Sequence, residues 1–223
     1  MFIGHFAVGF AAKKVAPRTS LGLLIGAPLF LDLIWPIFLL TGLEEVRIEP
    51  GNTAVTPLDF GSYPYSHSLF MVSVWATLLS LIYHRLTHYR PGTIMIWIGV
   101  VSHWFFDLIV HPPDLPLYPG GKMKFGLGLW NSPIWTLQVE GALFIAGLWI
   151  YFTQTRPVDR IGRYGFAAFV SFLLITNIAN MTGPPPPNTQ ALALVALSLW
   201  IVIPWANWFD RHRLPIPGKE GAS

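Results

Sequence analysis

Six long apolar runs, separated by short polar, basic or proline-rich segments, set the pattern of this chain. A helix takes ~20 predominantly apolar residues to cross a bilayer. The runs predict spans over residues 21–43, 68–83, 92–111, 134–152, 165–181 and 191–208. A shorter apolar stretch, residues 2–12, comes first and ends at Lys13 and Lys14. It is too short to span, and no cation precedes it as in a secretory signal. Residues 1–15 therefore predict a half-helix that enters the membrane or lies on its surface. The expected fold is all-α: one polytopic membrane domain over residues 1–223, with about six transmembrane helices.

Proline punctuates these runs. Pro28 and Pro36 fall inside the first span, where neighbouring helices must satisfy the carbonyls they free. Pro112 and Pro113 stop the third span, and Pro184 to Pro187 make a stiff turn between the fifth and sixth.

Composition agrees with a membrane body. Hydrophobic residues make up 53% of the chain and charged residues only 11%, less than half the share of an ordinary soluble domain. There is no cysteine, so disulfides and thiolate metal sites are excluded. The basic balance, pI about 9.3, is better read loop by loop than as a sign of nucleic acid, and no nucleic-acid partner is expected. With six spans both termini share a side. That side carries eleven of the 14 Lys and Arg, and the other has Arg47, Lys122 and Lys124. The bias predicts cytoplasmic termini. The count includes Lys219 near the end of the chain.

The third span carries the chemistry. His103, Asp107 and His111 follow one another at spacings of four, so on a helix they form one polar stripe. Such a stripe in an apolar medium must meet a partner, water or an ion. Asp32 falls near the middle of the first span, His67 at the mouth of the second, and Glu140 about two turns into the fourth. His5, eight residues before Lys13, rises toward the same depth if the half-helix enters the membrane. Ionisable residues inside a membrane are functional candidates by default. Imidazole and carboxylate suit a divalent ion, zinc foremost, and three protein ligands plus water make a catalytic site.

The expected ligands are His5, Asp32, His67, His103, Asp107 and His111, and the expected catalytic groups are Asp107 and Glu140. His103 and His111 are ~12 Å apart along a helix, which favours His103 with Asp107 as one pair. His111 then falls to a second position or an outer shell, and Pro112 pushes it out of helical conformation. Glu140 is placed as general base or further ligand. His84, His88 and His212 lie in basic loops and read as solvated.

These residues resemble the bacterial inner-membrane metal-dependent hydrolases. Gly4-His5 matches that family's N-terminal Gly-His, and Asp32 before Pro36 matches one acid of its Pro-Asp-x-Asp-His-Pro. Ser66-His67-Ser68 matches its Thr-His-Ser, and Ser102-His103 with Asp107 matches its Ser-His-x-x-x-Asp. Leu115 to Gly121 is similar to its Pro-rich loop. The likeness covers roughly the first 125 residues. The family's second acid falls on Ile34, its adjacent histidine on Trp35, and an Arg that often precedes the Thr-His-Ser near Tyr63. The resemblance implies hydrolysis by water activated at a divalent ion in the inner membrane. At the depth of the stripe, the expected substrate is a lipid or another amphiphile. An ion- or proton-coupled transporter or channel, and a non-catalytic membrane partner with a relic site, are the alternatives.

Overall fold

Polar caps and prolines begin the helices. Ser20 Oγ accepts from Leu23 N–H, Ser68 Oγ from Met71 N–H and Asn188 Oδ1 from Ala191 N–H, while Pro64, Pro91 and Pro133 occupy first turns. Both devices suit a helix start, whose first N–H groups have no intrahelical acceptor. The computed structural model describes residues 1–216, and Lys219 lies outside the described residues. The helices are α1 (Ile3–Val15), α2 (Leu21–Leu40), α3 (Pro64–His67), α4 (Leu69–Thr87), α5 (Arg90–Val110), α6 (Pro133–Gln154), α7 (Phe166–Thr182), α8 (Thr189–Leu197) and α9 (Val202–Asp210).

Among the described residues six segments are long and apolar enough to cross a membrane: α2, α4, α5, α6, Ile161–Thr182 and Thr189–Asp210. The sixth is one rod made of α8, a tight 3-10 turn over Ser198–Ile201, and α9. Pro204 explains the turn: its ring displaces the carbonyl of Trp200 four residues earlier and offers it no N–H. The first span ends at Leu40, three residues early, where Gly42 takes a left-handed φ of 73°. Three two-stranded antiparallel ribbons are the non-helical detail that hydropathy did not predict. They pair β1 (Glu45–Ile48) with β2 (Leu58–Ser62), β3 (Leu115–Pro116) with β4 (Lys124–Phe125), and β5 (Thr155–Pro157) with β6 (Arg213–Pro215).

The first two ribbons sit at the end of the bundle reached by α2, α5 and α7, here the far end. The third sits at the near end, where α2, α5 and α7 begin. Large apolar side chains such as Leu81, Leu86, Ile145, Trp149 and Ile175 are exposed around the bundle. In water such a belt would be a liability; against lipid it is the expected outer face.

α2 and α1 are central. In α2, 67% of the membrane window is buried, against 22–39% for the other five spans. α1 enters the bundle rather than lying on its surface, with His5, Phe6 and Phe10 fully buried. Its Phe6 and Phe10 join Ile25, Leu29, Phe144 and Phe169 in one apolar core. A second core packs Leu31 and Trp35 of α2 on Val72, Val100 and Trp104 of α4 and α5. Close approach of α1 to its neighbours needs glycine: a Cβ on Gly9 would lie 2.6 Å from Ile25 Cα, and one on Gly147 2.4 Å from the Ala7 carbonyl oxygen.

Gly147→Ala should therefore push α1 off α6, at a cost of about 1–3 kcal/mol typical of overpacking. The check is the thermal unfolding midpoint in detergent. It should fall for Gly147→Ala and hold or rise for Gly141→Ala on the same helix, where a Cβ meets open space and alanine is the better helix former.

Candidate metal centre

Asp107 is the hub of the site. It lies on α5 one turn after His103, and its side chain is only 3% exposed. His103 Nε2 is 2.9 Å from Asp107 Oδ2, His111 Nε2 3.7 Å and His67 Nε2 3.9 Å from the same oxygen. On the other oxygen, Oδ1, His5 Nε2 lies at 3.1 Å and the Met1 amino group at 2.6 Å. Asp32 Oδ1 is 3.7 Å from His67 Nε2 and 3.8 Å from His103 Nε2. Four helices thus bring four imidazoles and two carboxylates together: α1, α2, α3 and α5, the last with the residue that ends it.

That last residue is His111. It caps α5 in an extended conformation (φ −65°, ψ 145°), as a residue before proline should. Its φ is still helical and its N–H still donates to the Asp107 carbonyl, so its ring stays on the helix face beside Asp107, between Phe60 and Trp130 at centroid distances of 4.9 and 4.2 Å. Its 3.7 Å approach shows that helical rise alone overstates its separation from His103.

The outer nitrogen of three rings is fixed, and that decides which tautomer faces inward. His103 Nδ1 lies 2.7 Å from the Pro28 carbonyl oxygen, which can only accept, so Nδ1 carries the proton. Ser66 Oγ donates to Glu44 Oε2 at 2.6 Å and so accepts from His67 Nδ1–H, also at 2.6 Å. His111 Nδ1–H donates to Asp114 Oδ1 at 2.9 Å, and Tyr63 O–H donates to the same oxygen at 2.6 Å. Burial and the Asp114 charge push the Tyr63 phenol well above its usual range, so it stays a donor. In the neutral rings each Nε2 then presents a lone pair toward Asp107. Orienting a ligand imidazole through its second nitrogen is the standard outer shell of a metal site.

The fit to a cation follows from one orphaned atom. His103 Nε2 is buried and has no hydrogen-bond partner, although it lies 2.9 Å from a carboxylate oxygen. A lone pair facing a lone pair at that distance is repulsive, and a proton or a metal ion between the two atoms removes the repulsion. His5 Nδ1 is likewise buried without a partner, and the His5 and His103 rings stack at 3.9 Å. Among the described residues, His5, His103 and Asp107 offer ligand atoms within 4.8 Å of one another, as do Asp32, His67 and His103. The two sets share His103. The chain can hold a metal ion here. The donor set is nitrogen and oxygen without sulfur, the set that suits zinc and its neighbours.

Glu140 lies at the edge of this cluster. Its Oε2 accepts the backbone N–H of Phe2 at 2.8 Å and of Gly4 at 3.4 Å, so it stabilises the first turn of α1 and with it His5. Glu44, Asp114 and Tyr63 had no role in the sequence reading. Asp114 stands three residues after His111, a spacing visible in the chain. Glu44 is 22 residues from Ser66, and no local pattern connects them.

A cavity of about 390 Å³ opens beside the cluster. Asp32, His67, Asp107, His111 and Glu140 border one side, and α7, α8 and the proline turn border the other. Comparison with protein-family models, with curated proteins and with solved structures finds no match to this chain. The case for the site rests on its geometry.

Ser66→Ala and Asp114→Asn remove the groups that orient His67 and His111 but leave every inward-facing nitrogen in place. Each should weaken divalent-metal affinity by about 10–100-fold. Competition with a chromogenic chelator, on protein whose circular dichroism is unchanged, measures it.

Proposed function

We propose that this chain is an integral-membrane, metal-dependent hydrolase of the inner-membrane family its motifs resemble, acting on a lipid or another amphiphile. The observation that carries the reading is the ring of imidazole nitrogens around Asp107, with three tautomers fixed from outside and a cavity alongside. His5, Asp32, His67, His103, Asp107 and His111 are the proposed ligands, with zinc as the first candidate. A divalent ion held by such ligands supplies a Lewis acid and brings the pKa of water down toward 7.

The chain's own residues do the rest. Asp107 collects the imidazoles. Asp32, with 32% of its side chain exposed beside the cavity, is the proposed ligand most open to water. Glu140 is a positioning residue in this reading: it acts through α1 and His5. The charge bias of the loops supports cytoplasmic termini, and with them a site in the outer half of a bacterial inner membrane.

The fold gives the transport alternative little support. Between the cluster and the near end lie Phe6, Phe10, Ile25, Leu29, Phe144 and Phe169, all buried and apolar. A water or proton path through that layer would need polar groups that these side chains do not offer.

Elemental analysis of protein purified without chelator tests the reading. Wild type should carry at least one divalent metal per chain, and the His103→Ala, Asp107→Ala double variant should carry none. Hydrolysis of amphiphilic esters should stop when the metal is stripped and return when it is restored. Wild-type protein that holds no stoichiometric metal ends the proposal.

A further inference from the structure

The wall of the cavity away from the imidazoles is built from α7 and α8. α8 packs on α2, and α7 packs on α9. The two helices leave a cleft between them on the far half of the bundle, closed at its end by Pro184 and Pro186. Val195 of α8 lines this cleft and is 71% exposed. Both walls belong to membrane-spanning segments, so an opening between them faces lipid.

Its walls are of two kinds. Phe172, Leu192, Val195 and Ala196 are apolar. Thr176, Asn177 and Asn180 sit within one turn and a third of α7 and also line the cavity. Asn177 is 4% exposed inside a membrane span, and the partner of its amide nitrogen among the described residues is the Met181 sulfur at 3.8 Å. A buried amide with so weak a partner is costly in an apolar medium unless something else satisfies it. Among the described residues no lysine or arginine lines the cavity, whereas Asp32, Asp107 and Glu140 do, and the Met1 ammonium that also lines it is paired with Asp107. An anionic head would therefore meet acids and no cationic side chain.

The geometry points to this cleft as the binding site for one uncharged amphiphile, its chain along the α7–α8 walls and its hydroxyl- or carbonyl-bearing head against Asn177. That assignment rests on the hydrolase reading, for which it names the substrate class. Asn177 is the residue that selects the head, through two amide donors and one acceptor. Asn180, exposed nearer the proline turn, extends the same polar strip outward.

Binding can be read without turnover. Native mass spectrometry of the detergent-solubilised protein, with chelator present, measures retention of three probes of one chain length: a monoacylglycerol, its phosphorylated counterpart and an alkyl trimethylammonium. Wild type should retain the monoacylglycerol most tightly. Asn177→Leu should weaken that retention about tenfold, the scale of one lost buried hydrogen bond, and so erase the preference. Ala196→Phe, which fills the cleft, should release all three probes without lowering the thermal midpoint. Equal retention of the three by wild type, tighter retention of either charged probe, or an unchanged preference in Asn177→Leu overturns the assignment. Should wild type hold no metal yet keep the monoacylglycerol preference, the hydrolase reading fails and the cleft stands. Metal and hydrolysis without that preference would do the reverse.

Discussion

A carboxylate with a side chain 3% exposed inside an apolar bundle must be surrounded by groups that favour its charge, and Asp107 sets that demand here. Removing a charge from water costs several kcal/mol even after relaxation. The bundle meets part of the cost with the Met1 ammonium, 2.6 Å from Asp107 Oδ1, and directs four separate segments at the same place, where a further cation would find its ligands. α1 delivers His5, α2 delivers Asp32 and the Pro28 carbonyl, α3 delivers His67, and α5 delivers His103 and ends at His111. The central position of α1 follows. A helix too short to cross the membrane has value at the centre only if its first turn reaches the site, and Glu140 holds that turn in place. The glycines that let α1 lie against α2 and α6 belong to the same requirement.

The loops at the far end are part of the centre rather than connections between spans. Glu44 accepts the backbone N–H groups of Tyr65 and Ser66 as well as the Ser66 hydroxyl, so one buried acid caps α3 and orients His67. Asp114 does the equivalent for His111, with Tyr63 as its second donor. Tyr63 itself is buried against Phe60 of β2. The β1–β2 and β3–β4 ribbons flank these residues, which gives irregular chain the rigidity that a ligand imidazole needs. Each outer contact would be an odd expense for packing alone. Together they point three rings at one carboxylate.

The spans were legible because lipid imposes one rule on every exterior residue, and a run of apolar side chains records it directly. His103, Asp107 and His111 were legible because helical periodicity puts them on one face, and Asp32 because a charge in such a run stands out. What could not be read is how elements distant in sequence meet. The Glu44–Ser66–His67 chain joins a loop acid to a helix start, and Glu140 reaches across the fold to backbone rather than to an imidazole. Neither contact leaves a periodic trace. Helical rise suggested that His111 was remote from His103. Rise fixes the distance between backbone positions, whereas both imidazoles reach along the helix face to the carboxylate one turn from each of them.

The two ends of the bundle are built for different tasks, and the difference bears on how a ligand arrives. At the near end Lys13 Nζ pairs with Asp210 Oδ2 at 2.7 Å, and Tyr151 O–H donates to Asp210 Oδ1 at 2.8 Å. Arg213 stacks over Tyr151 and Phe166 and donates to Thr155 and to the Gly162 carbonyl. These contacts tie α1, α6 and α9 to one another across nearly the whole sequence. Above them the Phe6–Phe10 layer fills the interior. At the far end the ribbons and the proline turn cover the cluster, while the gap between α7 and α8 leaves one side open. A body sealed along its axis and open at its flank admits a molecule already dissolved in the bilayer more readily than one arriving from water.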